Sequence, residues 1–450
     1  MNEISTIFAT VLSRIKPTGE EKTRLAALAQ TIIGRIDALG KKEGFDISAR
    51  LVGSSARGTW LSGEHDLDIF IMFSPEAERD YLEEKGLYIA RKIAGQAEKW
   101  EERYAEHPYI YAIFDGYEVD LVPAFSVRSA ADIKSAVDRT PFHNAYVKSK
   151  ITGLEDEVLL LKQFLKGIGV YGSELKTHGF SGYLAELLVI HYGSFTGVLE
   201  AASNLVPGTT IDIEKHGNVA HKDPLVVIDP TDPARNVAAA LSLDNMCIFI
   251  DKAREFLKDP TEDYFRAQAP QPLENDEFKN AMSSRETNLV ALVFAVPDIV
   301  EDVLFPQLRK LEDSVREMFE KYDFRVYNSG VWADEIAVVM FELESARLPC
   351  AKRHTGPQVW FGEHAFAFKS KYKDSKTFSN VFIRNGKYMV EIPRKYTDAK
   401  RFLESEVLKC GLWKHVALSI KKDYRVLEND EILEVMDEEF RMFLRKFFEK

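Results

Sequence analysis

An apolar run that begins with two carboxylates constrains this chain more than any other feature. The stretch DLDIFIMF, residues 66–73, has the composition of a buried strand, yet it opens on Asp66 and Asp68. Residues i and i+2 of a strand share one face and lie about 6.6 Å apart along it. The two aspartates are therefore expected to face one way, while Leu67 and Ile69 face the core.

A third carboxylate is expected from a neighbouring strand. The stretch YIYAIFDGYEVDLVPAF predicts a β-hairpin with Asp115-Gly116 as its turn. On the second strand of this hairpin, Glu118 and Asp120 share a face. Three converging carboxylates can hold two Mg²⁺ ions about 3.5–4 Å apart, whereas a lone Asp-x-Asp pair is usually a solvated strand end.

A turn suited to phosphate precedes the aspartates. Gly53-Ser54 ends the predicted strand FDISARLV and begins a predicted short helix. The first backbone N–H groups of a helix have no partners within it and, with the helix dipole, attract anions. Arg57 adds a positive charge one turn later. A phosphate cradle next to a metal-binding carboxylate set is more specific than either part alone.

Composition limits the class of protein. The chain has 450 residues, which is enough for about three domains of ~150 residues. It carries a net charge of −12 and is 45% hydrophobic, and no segment approaches the ~18 apolar residues that span a membrane. The three cysteines form no CxxC pair, which argues against a zinc site or disulfide framework: Cys247, Cys350 and Cys410. We expect a soluble cytoplasmic protein without a membrane partner.

The order of patterns predicts an α+β multidomain fold. Helical periodicity covers residues 1–39 and 75–102, around the two strands, and the hairpin completes a small mixed sheet ending near residue 129. Residues 140–267 are mostly helical. The next stretches, from ETNLVALVFAV to FRVYNSGVWADEIAVVMFEL, read as a strand, a long helix and two strands. That β-α-β-β run is typical of half a ferredoxin-like or RNA-recognition (RRM) sandwich.

Residues 347–401 differ from the rest of the chain. They hold 13 Lys/Arg, 4 Asp/Glu and nine aromatic residues, so their charge is +9 and the other residues carry −12 − 9 = −21. Basic residues interleaved with aromatic ones suit a polyanion with stackable bases. A solvated basic face over an aromatic core is the alternative.

Gly-Ser, a spacer, Asp-x-Asp and a later strand aspartate resemble the DNA polymerase β-like nucleotidyltransferases. Further stretches are similar to the archaeal-type, class I CCA-adding enzymes (CCA tRNA nucleotidyltransferases), among them RYAEHPYIYAIFDGYEVDLVPAF, IKSAVDRTPFHNAYV, LLKQFLKGIGVYGSELKTHGFSGYLAELLV and DPTDPARNVAAALSLDN. The likeness runs from about Ser5 to Val300 and weakens beyond. Ser55 stands where the family often has a larger residue, a departure that affects only local packing.

The resemblance implies a set of site residues. Catalysis and the binding of two Mg²⁺ fall to Asp66, Asp68 and Asp120. Binding of the ATP or CTP triphosphate falls to Ser54, Arg57, His143, Lys162 and Tyr171. Base selection falls to Arg235 and Asn236. Supporting positions are Gly53, Glu106, His107 and Thr140.

The residues alone leave several of these roles open. The stretch DRTPFHNAYV predicts Thr140 as an N-cap and Pro141 at N1, which places His143 in the first helical turn. A lone histidine there is more often a surface or packing residue. Lys162 and Lys166 share one side of a helix, where lysines are usually solvated, and the family assigns no role to Lys166. Arg235 could equally cap its own loop.

The resemblance implies a nucleotidyltransferase head with a small mixed β-sheet (1–140), a helical neck (141–270), a ferredoxin/RRM-like body (271–346) and an α/β tail (347–401). The body could resume at 402–450. The expected activity is template-independent addition and repair of the tRNA 3′-terminal CCA from CTP and ATP, with pyrophosphate released. The expected partners are the tRNA acceptor and TΨC arms and a second copy in a homodimer. The alternatives are a poly(A) polymerase or oligoadenylate synthase type of enzyme and a non-catalytic tRNA-binding protein.

Overall fold

The computed structural model describes residues 3–104, 107–217, 221–267 and 271–449. The chain divides into two compact units, residues 1–268 and residues 269–450. In the described parts of the chain, no helix is both long enough and apolar enough to cross a membrane.

The first unit begins with a five-stranded mixed sheet in the order β1-β2-β5-β4-β3. Only β2 and β5 pair in parallel within it. The elements are α1 (Glu3–Ile15), α2 (Gly19–Glu43), β1 (Ile47–Val52), α3 (Gly53–Arg57), β2 (Asp66–Phe73), α4 (Arg79–Ala94), β3 (Lys99–Tyr104), β4 (Pro108–Phe114) and β5 (Tyr117–Phe125).

One face of this sheet is closed by two helices. Leu67 and Ile69 of β2 pack with Ile32 of α2 and Ile89 of α4 in one buried cluster. The opposite face carries a smaller apolar cluster that includes Phe70. Because side chains alternate along a strand, the aspartates of β2 lie on the face opposite α2 and α4.

The hairpin and its turn are confirmed. Asp115 and Gly116 have φ values of 51° and 77°, as a tight two-residue turn requires, and Phe114 pairs with Tyr117. The predicted helix over 75–102 is wrong at its end, since α4 stops at Ala94 and β3 follows as an edge strand on β4. Its sequence KWEERY is mostly charged and exposed, which is common on edge strands and hid the strand from a periodicity argument.

The remainder of the first unit is helical, with a short parallel pair of strands. The elements are α5 (Thr140–Lys150), α6 (Glu155–Gly167), α7 (Gly182–Tyr192), α8 (Phe195–Ala202), β6 (Thr209–Ile211), β7 (Leu225–Val227) and α9 (Leu243–Lys258). Phe164, Phe195 and Phe256 lie at the centre of its core, and Val11 of α1 packs into the same cluster. Thr140 is not an N-cap, because a 3₁₀ turn over Ala136–Arg139 runs directly into α5 and gives Thr140 a helical backbone.

The second unit contains a βαββαβ sandwich. Its antiparallel sheet has the order β14-β8-β10-β9, so the first and third strands of the motif lie at the centre, as in ferredoxin-like folds. The elements are α10 (Asn275–Arg285), β8 (Asn288–Ala295), α11 (Glu301–Lys321), β9 (Val326–Ala333), β10 (Ile336–Leu343), α13 (Ala399–Glu406), α14 (Lys414–Lys422), β14 (Arg425–Glu428) and α15 (Glu438–Phe448).

Helices cover both faces of this sheet. On one face, Leu292 and Val339 pack with Leu308 of α11 and Phe402 of α13. On the other face, Met340 packs with residues of α10 and α15. The sheet is therefore a core layer rather than an open platform.

The basic aromatic segment, residues 347–401, contains a small sheet of its own. β11 (Ala351–Gln358), β12 (Phe382–Arg384) and β13 (Lys387–Pro393) form an antiparallel sheet in the order β11-β13-β12, with α12 (Gly362–Tyr372) packed on it. Phe368 and Tyr388 fill its core. Trp360 and Phe366 stay 67% and 74% exposed. The segment therefore has the aromatic core of the alternative reading and also aromatic rings at its surface, while polyanion binding stays a prediction.

Removing an aromatic ring from the helical core should destabilise the first unit. Phe164 is fully buried and contacts five other aromatic rings, so Phe164→Ala should cost about 3–5 kcal/mol. Urea unfolding followed by tryptophan fluorescence measures this change. Phe366→Ala, at an exposed ring, should shift stability by no more than about 0.5 kcal/mol. Equal losses in the two variants would contradict the described packing.

Candidate active site

Two of the predicted carboxylates lie side by side on neighbouring strands. The parallel register of β2 and β5 places Asp68 opposite Asp120 and Asp66 opposite Glu118. On the other side of β2, Val52 of β1 pairs with Asp68. The three predicted aspartates therefore share one face of the sheet, at the N-terminal ends of two adjacent strands.

These carboxylates are partly removed from water and repel one another. Burial raises the pKa of Asp68 to about 6; Arg57 opposes this rise and Asp66 adds to it. Burial and the charge of Asp68 raise the pKa of Asp120 to about 7. Burial and neighbouring glutamates also raise the pKa of Asp66. A group of acids with raised pKa values is stabilised in its charged form by a cation.

The carboxylate oxygens of these aspartates are suitable ligands for a divalent cation. Oδ1 of Asp120 is buried and accepts no hydrogen bond from any residue that the structure describes. In the described ranges, no three His, Cys, Asp or Glu side chains converge closely enough to hold a metal on their own. Mg²⁺ typically takes one or two carboxylates and completes its shell with water and substrate phosphates. The donor set fits an ion whose remaining ligands come with a nucleotide.

Gly53 is required by its contact with Asp68. Its φ is +76°, and a Cβ atom at this position would lie 1.9 Å from Oδ2 of Asp68. Only glycine lets the backbone approach the carboxylate this closely. Ser54 follows as the second residue of α3, so the predicted phosphate turn lies directly against the predicted metal site.

Arg57 is anchored by a glutamate that the sequence argument did not consider. Its Nε donates to Oε1 of Glu186 at 3.0 Å, and the two side chains are 7% and 0% exposed. The Thr59 hydroxyl donates to the same oxygen. Arg57 thus has a fixed orientation, with one of its five N–H donors used by Glu186.

Lys162 belongs to the same buried network. It is 2% exposed, and its Nζ donates to the Thr59 carbonyl at 2.7 Å. Burial lowers the pKa of the Lys162 ammonium, while Glu186 opposes that effect. A Cβ on Gly182 would lie 3.0 Å from the Tyr171 hydroxyl and 3.4 Å from Lys162 Nζ, so both polar groups meet at the start of α7. The solvated lysine considered from the sequence is not what the structure has.

Lys166 forms a separate ion pair. Its Nζ contacts Oε1 of Glu64 and lies 5.4 Å from the centre of the Tyr171 ring. The lysine without an assigned role therefore connects α6 to the loop that leads into β2.

A second buried acid, Asp229, organises two more of the predicted site residues. Asp229 is 0% exposed, and its Oδ2 contacts Nε2 of His143 at 2.8 Å and Nη1 of Arg235 at 2.9 Å. The His143 ring also stacks on Tyr183, with centroids 4.1 Å apart. Burial raises the pKa of Asp229, but the hydrogen bonds and charge of His143 and the hydrogen bonds of Thr231 outweigh it, so the pKa lies well below its ordinary value.

Arg235 and Asn236 have different surroundings. Arg235 keeps 36% of its side chain exposed and, with Asn236, lines a cavity of about 360 Å³. Asn236 is 4% exposed, and its amide binds the backbone of Val227, Ala238 and Leu225 as well as the Asp223 carboxylate. Its hydrogen-bonding capacity is filled within the loop, so Asn236 shapes the cavity and Arg235 is the residue with donors to offer.

Two of the supporting positions, His107 and Thr140, lie in the framework around the predicted site. His107 is 4% exposed and its Nε2 contacts the Pro123 carbonyl at 2.6 Å, three residues beyond Asp120 along β5. Thr140 is the first residue of α5, and its position fixes the start of the helix that carries His143. Glu106 lies outside the described residues.

Two acids that order the site, Glu186 and Asp229, escaped the sequence argument. Glu186 is the only acid of α7 and lies within its buried stretch LAELLV, and a charge in a buried stretch is a signal for a buried partner. Asp229 lies in IDPTDPARN, a turn-rich stretch with several acids, where spacing alone does not separate the buried one from its neighbours.

Comparisons with known families agree with this geometry. Residues 34–143 match the nucleotidyltransferase domain, which places the carboxylates and the phosphate turn in a nucleotide-transferring class of enzyme. Residues 156–266 match the second domain of tRNA nucleotidyltransferase, and residues 285–429 match the C-terminal domain of the CCA-adding enzyme.

Curated relatives cover almost the whole chain. A CCA-adding enzyme of Methanosarcina mazei is 52% identical over 97% of both chains, and that of Methanoregula boonei is 43% identical over 97% of this chain and 94% of its own. That of Halobacterium salinarum is 40% identical over 99% of both. The chain belongs to the CCA-adding enzyme family.

The raised pKa values make a prediction for stability without metal. A folded pKa of about 7 against an ordinary 3.8 means that the native state holds an extra proton at Asp120, so stability falls as pH rises from about 4 through 7. In EDTA, Asp120→Asn should therefore be more stable than the parent at pH 8, by about 1–3 kcal/mol, with the difference disappearing near pH 4. Thermal unfolding at the two pH values measures it.

Asp115→Asn is the matched control, since it makes the same chemical change at the exposed turn of the same hairpin. It should leave the pH dependence unchanged. A stability gain of equal size at both pH values for Asp120→Asn would contradict the electrostatic cause.

Proposed function

We propose that this enzyme adds and repairs the 3′-terminal CCA of tRNA, from CTP and ATP and without a template, at the carboxylates of β2 and β5. The observation that carries the proposal is the parallel register that sets Asp68 beside Asp120, with Gly53 packed against Asp68. Family membership supplies the substrates. Cytoplasmic location and a homodimer are proposed from the family alone.

The reaction is an in-line displacement at phosphorus. The tRNA 3′-hydroxyl releases its proton to solvent as its oxygen forms a bond to the α-phosphate, the bond to the bridging oxygen breaks, and pyrophosphate leaves with that oxygen. Two Mg²⁺ ions held by Asp66, Asp68 and Asp120 would supply charge neutralisation and lower the pKa of the attacking hydroxyl. The same event would occur three times, with CTP, CTP and ATP, at one site.

Residues of both parts of the first unit are proposed to hold the triphosphate. Ser54 and the first N–H groups of α3 would donate to phosphate oxygens. Arg57, whose Nε is held by Glu186, would donate to phosphate from its terminal nitrogens. Lys162 is deeply buried and holds the Thr59 carbonyl, and it would add a positive charge behind the triphosphate. Tyr171 would add a hydroxyl donor.

Base selection is assigned to Arg235 beside the 360 Å³ cavity, with Asn236 shaping its wall. Arginine only donates hydrogen bonds. Cytosine N3 and adenine N1 are acceptors, whereas uracil N3 and guanine N1 carry a hydrogen. A fixed Arg235 therefore favours the two correct bases and opposes the two wrong ones with one set of donors.

The second unit is proposed to bind tRNA, through the basic aromatic segment. Arg384 and Lys387 flank the turn between β12 and β13, and the Trp360 ring lies against Gly386 of that turn. Trp360 is 67% exposed, so a flat ring and two cations form the tip of the segment. Such a surface suits the backbone and grooves of the acceptor and TΨC arms. The division into head, neck, body and tail is likewise a proposal about function.

Incorporation of labelled nucleotides into tRNA that lacks its last three residues tests the activity. Growth that stops after C, C and A supports the proposal. A long A tail would instead identify a poly(A) polymerase type of activity, and binding without any incorporation would identify a non-catalytic protein.

Removing a central carboxylate should abolish transfer but spare RNA binding. Asp68→Ala should lower the rate of CTP incorporation by at least about 10³-fold, because the Mg²⁺ ions that would offset the charge of the triphosphate lose a ligand. Filter binding should show tRNA affinity within about twofold of the parent. Asp46→Ala, at an exposed position before β1, is the control and should retain full activity. Substantial incorporation by Asp68→Ala would refute the assignment of the site.

Neutralising the tip of the basic aromatic segment should weaken tRNA binding in a salt-dependent way. The double variant Arg384→Gln and Lys387→Gln should reduce the slope of log Kd against log salt by about 1–2, since each lost phosphate contact removes just under one unit. Lys41→Gln with Lys42→Gln, in the exposed last turn of α2, makes the same charge change elsewhere. Equal slopes for the two double variants would argue against binding at the tip.

A further inference from the structure

Asp229 contacts residues assigned to both ends of the proposed nucleotide site, His143 for the triphosphate and Arg235 for the base. Its two oxygens have separate partners. Oδ2 accepts from His143 and Arg235, at 2.8 and 2.9 Å. Oδ1 accepts from the Thr231 backbone N–H and hydroxyl, each at 2.9 Å, and lies 3.3 Å from the Tyr183 hydroxyl.

The Oδ1 side has a purely local explanation. An aspartate that accepts from the N–H two residues ahead forms an Asx turn, and an asparagine does this equally well. The loop also closes through its own backbone, with Asp229 N–H donating to the Arg235 carbonyl at 3.0 Å. Loop shape therefore needs an oxygen at Oδ1 but no charge.

The Oδ2 side does need the charge. A fully buried carboxylate is costly unless cations and hydrogen bonds compensate it. Arg235 supplies a permanent positive charge and is 36% exposed toward the cavity, while His143 is 12% exposed and fixed from behind by Tyr183. One oxygen atom thus sets the position of a base-reading group and of a triphosphate-binding group at the same time.

We infer that Asp229 is a positioning residue that couples base selection to triphosphate binding through this shared oxygen. A correct base meets Arg235 in its fixed orientation and leaves His143 in place. A wrong base, with a hydrogen where an acceptor is needed, displaces Arg235 from Oδ2 and disturbs the His143 contact with it. The enzyme therefore rejects UTP and GTP at both ends of the nucleotide. This inference rests on the proposed function and extends it.

Asp229→Asn separates the two sides of the carboxylate. The amide keeps its oxygen toward Thr231 and preserves the Asx turn, but it presents an NH₂ group to the two donors of His143 and Arg235. Binding of CTP, measured by isothermal titration, should weaken at least about tenfold. The ratio of UTP to CTP dissociation constants should fall at least about fivefold toward unity. CTP loses its contact with a fixed Arg235, whereas UTP does not make that contact in the parent enzyme.

Asp232→Asn is the matched control. It makes the same change in the same loop, but Asp232 pairs with Arg139 at 2.8 Å. It should keep the UTP to CTP ratio within about twofold of the parent, even where thermal stability falls. If Asp229→Asn also keeps the ratio within twofold, the inference is overturned. The incorporation assay on the parent enzyme judges the proposed function separately.

A second measurement tests the inference without the Asp229→Asn variant, in case that variant does not fold. His143→Ala, Arg235→Lys and the double variant form a cycle for CTP binding. Coupling through Asp229 predicts that the double variant loses at least about threefold less affinity than the product of the single losses. Strictly multiplicative losses would overturn the inference.

Discussion

The carboxylate cluster of the first unit depends on two parallel strands, β2 and β5, pairing in one register. β2 and β5 are neighbours although a helix, an edge strand and a hairpin strand separate them in sequence, and their pairing sets Asp68 beside Asp120. If either strand shifted its pairing register by one residue, its aspartates would face the apolar layer packed against α2 and α4. The alternation that buries Leu67 and Ile69 therefore fixes the geometry of the chemistry.

The carboxylates are matched by cations that are themselves held by buried acids. Glu186 orients Arg57, and Asp229 orients His143 and Arg235, so these three side chains are held by contacts within the protein. Such pairs add little net stability, because desolvation offsets the attraction. Their value is preorganisation, since a nucleotide meets groups already ordered for it.

Local patterns in the sequence correctly predicted the structural features that depend on residues adjacent in the chain. The bounds of DLDIFIMF, the Asp115-Gly116 turn and the β-α-β-β run of the second unit are all read from periodicity and turn chemistry. The strand β3 was missed because its sequence is mostly charged and shows no apolar alternation. It pairs with β4 through backbone hydrogen bonds, which side-chain patterns do not reveal. Glu186 and Asp229 were missed because their partners Arg57 and His143 lie 129 and 86 residues away, and a local signal such as the lone acid of α7 does not identify the partner. The contact between Arg57 and Glu186 was not predicted for the same reason.

The covered sheet of the second unit has a consequence for how RNA is read. RRM domains stack unpaired bases on aromatic rings of an open sheet face, and that is how they distinguish sequences. Here α10 and α15 pack on one face of the β8–β10 layer and α11 and α13 pack on the other. A domain with this topology whose sheet is covered on both faces is suited to recognising the shape of an RNA duplex. Duplexes of different base sequence share that shape.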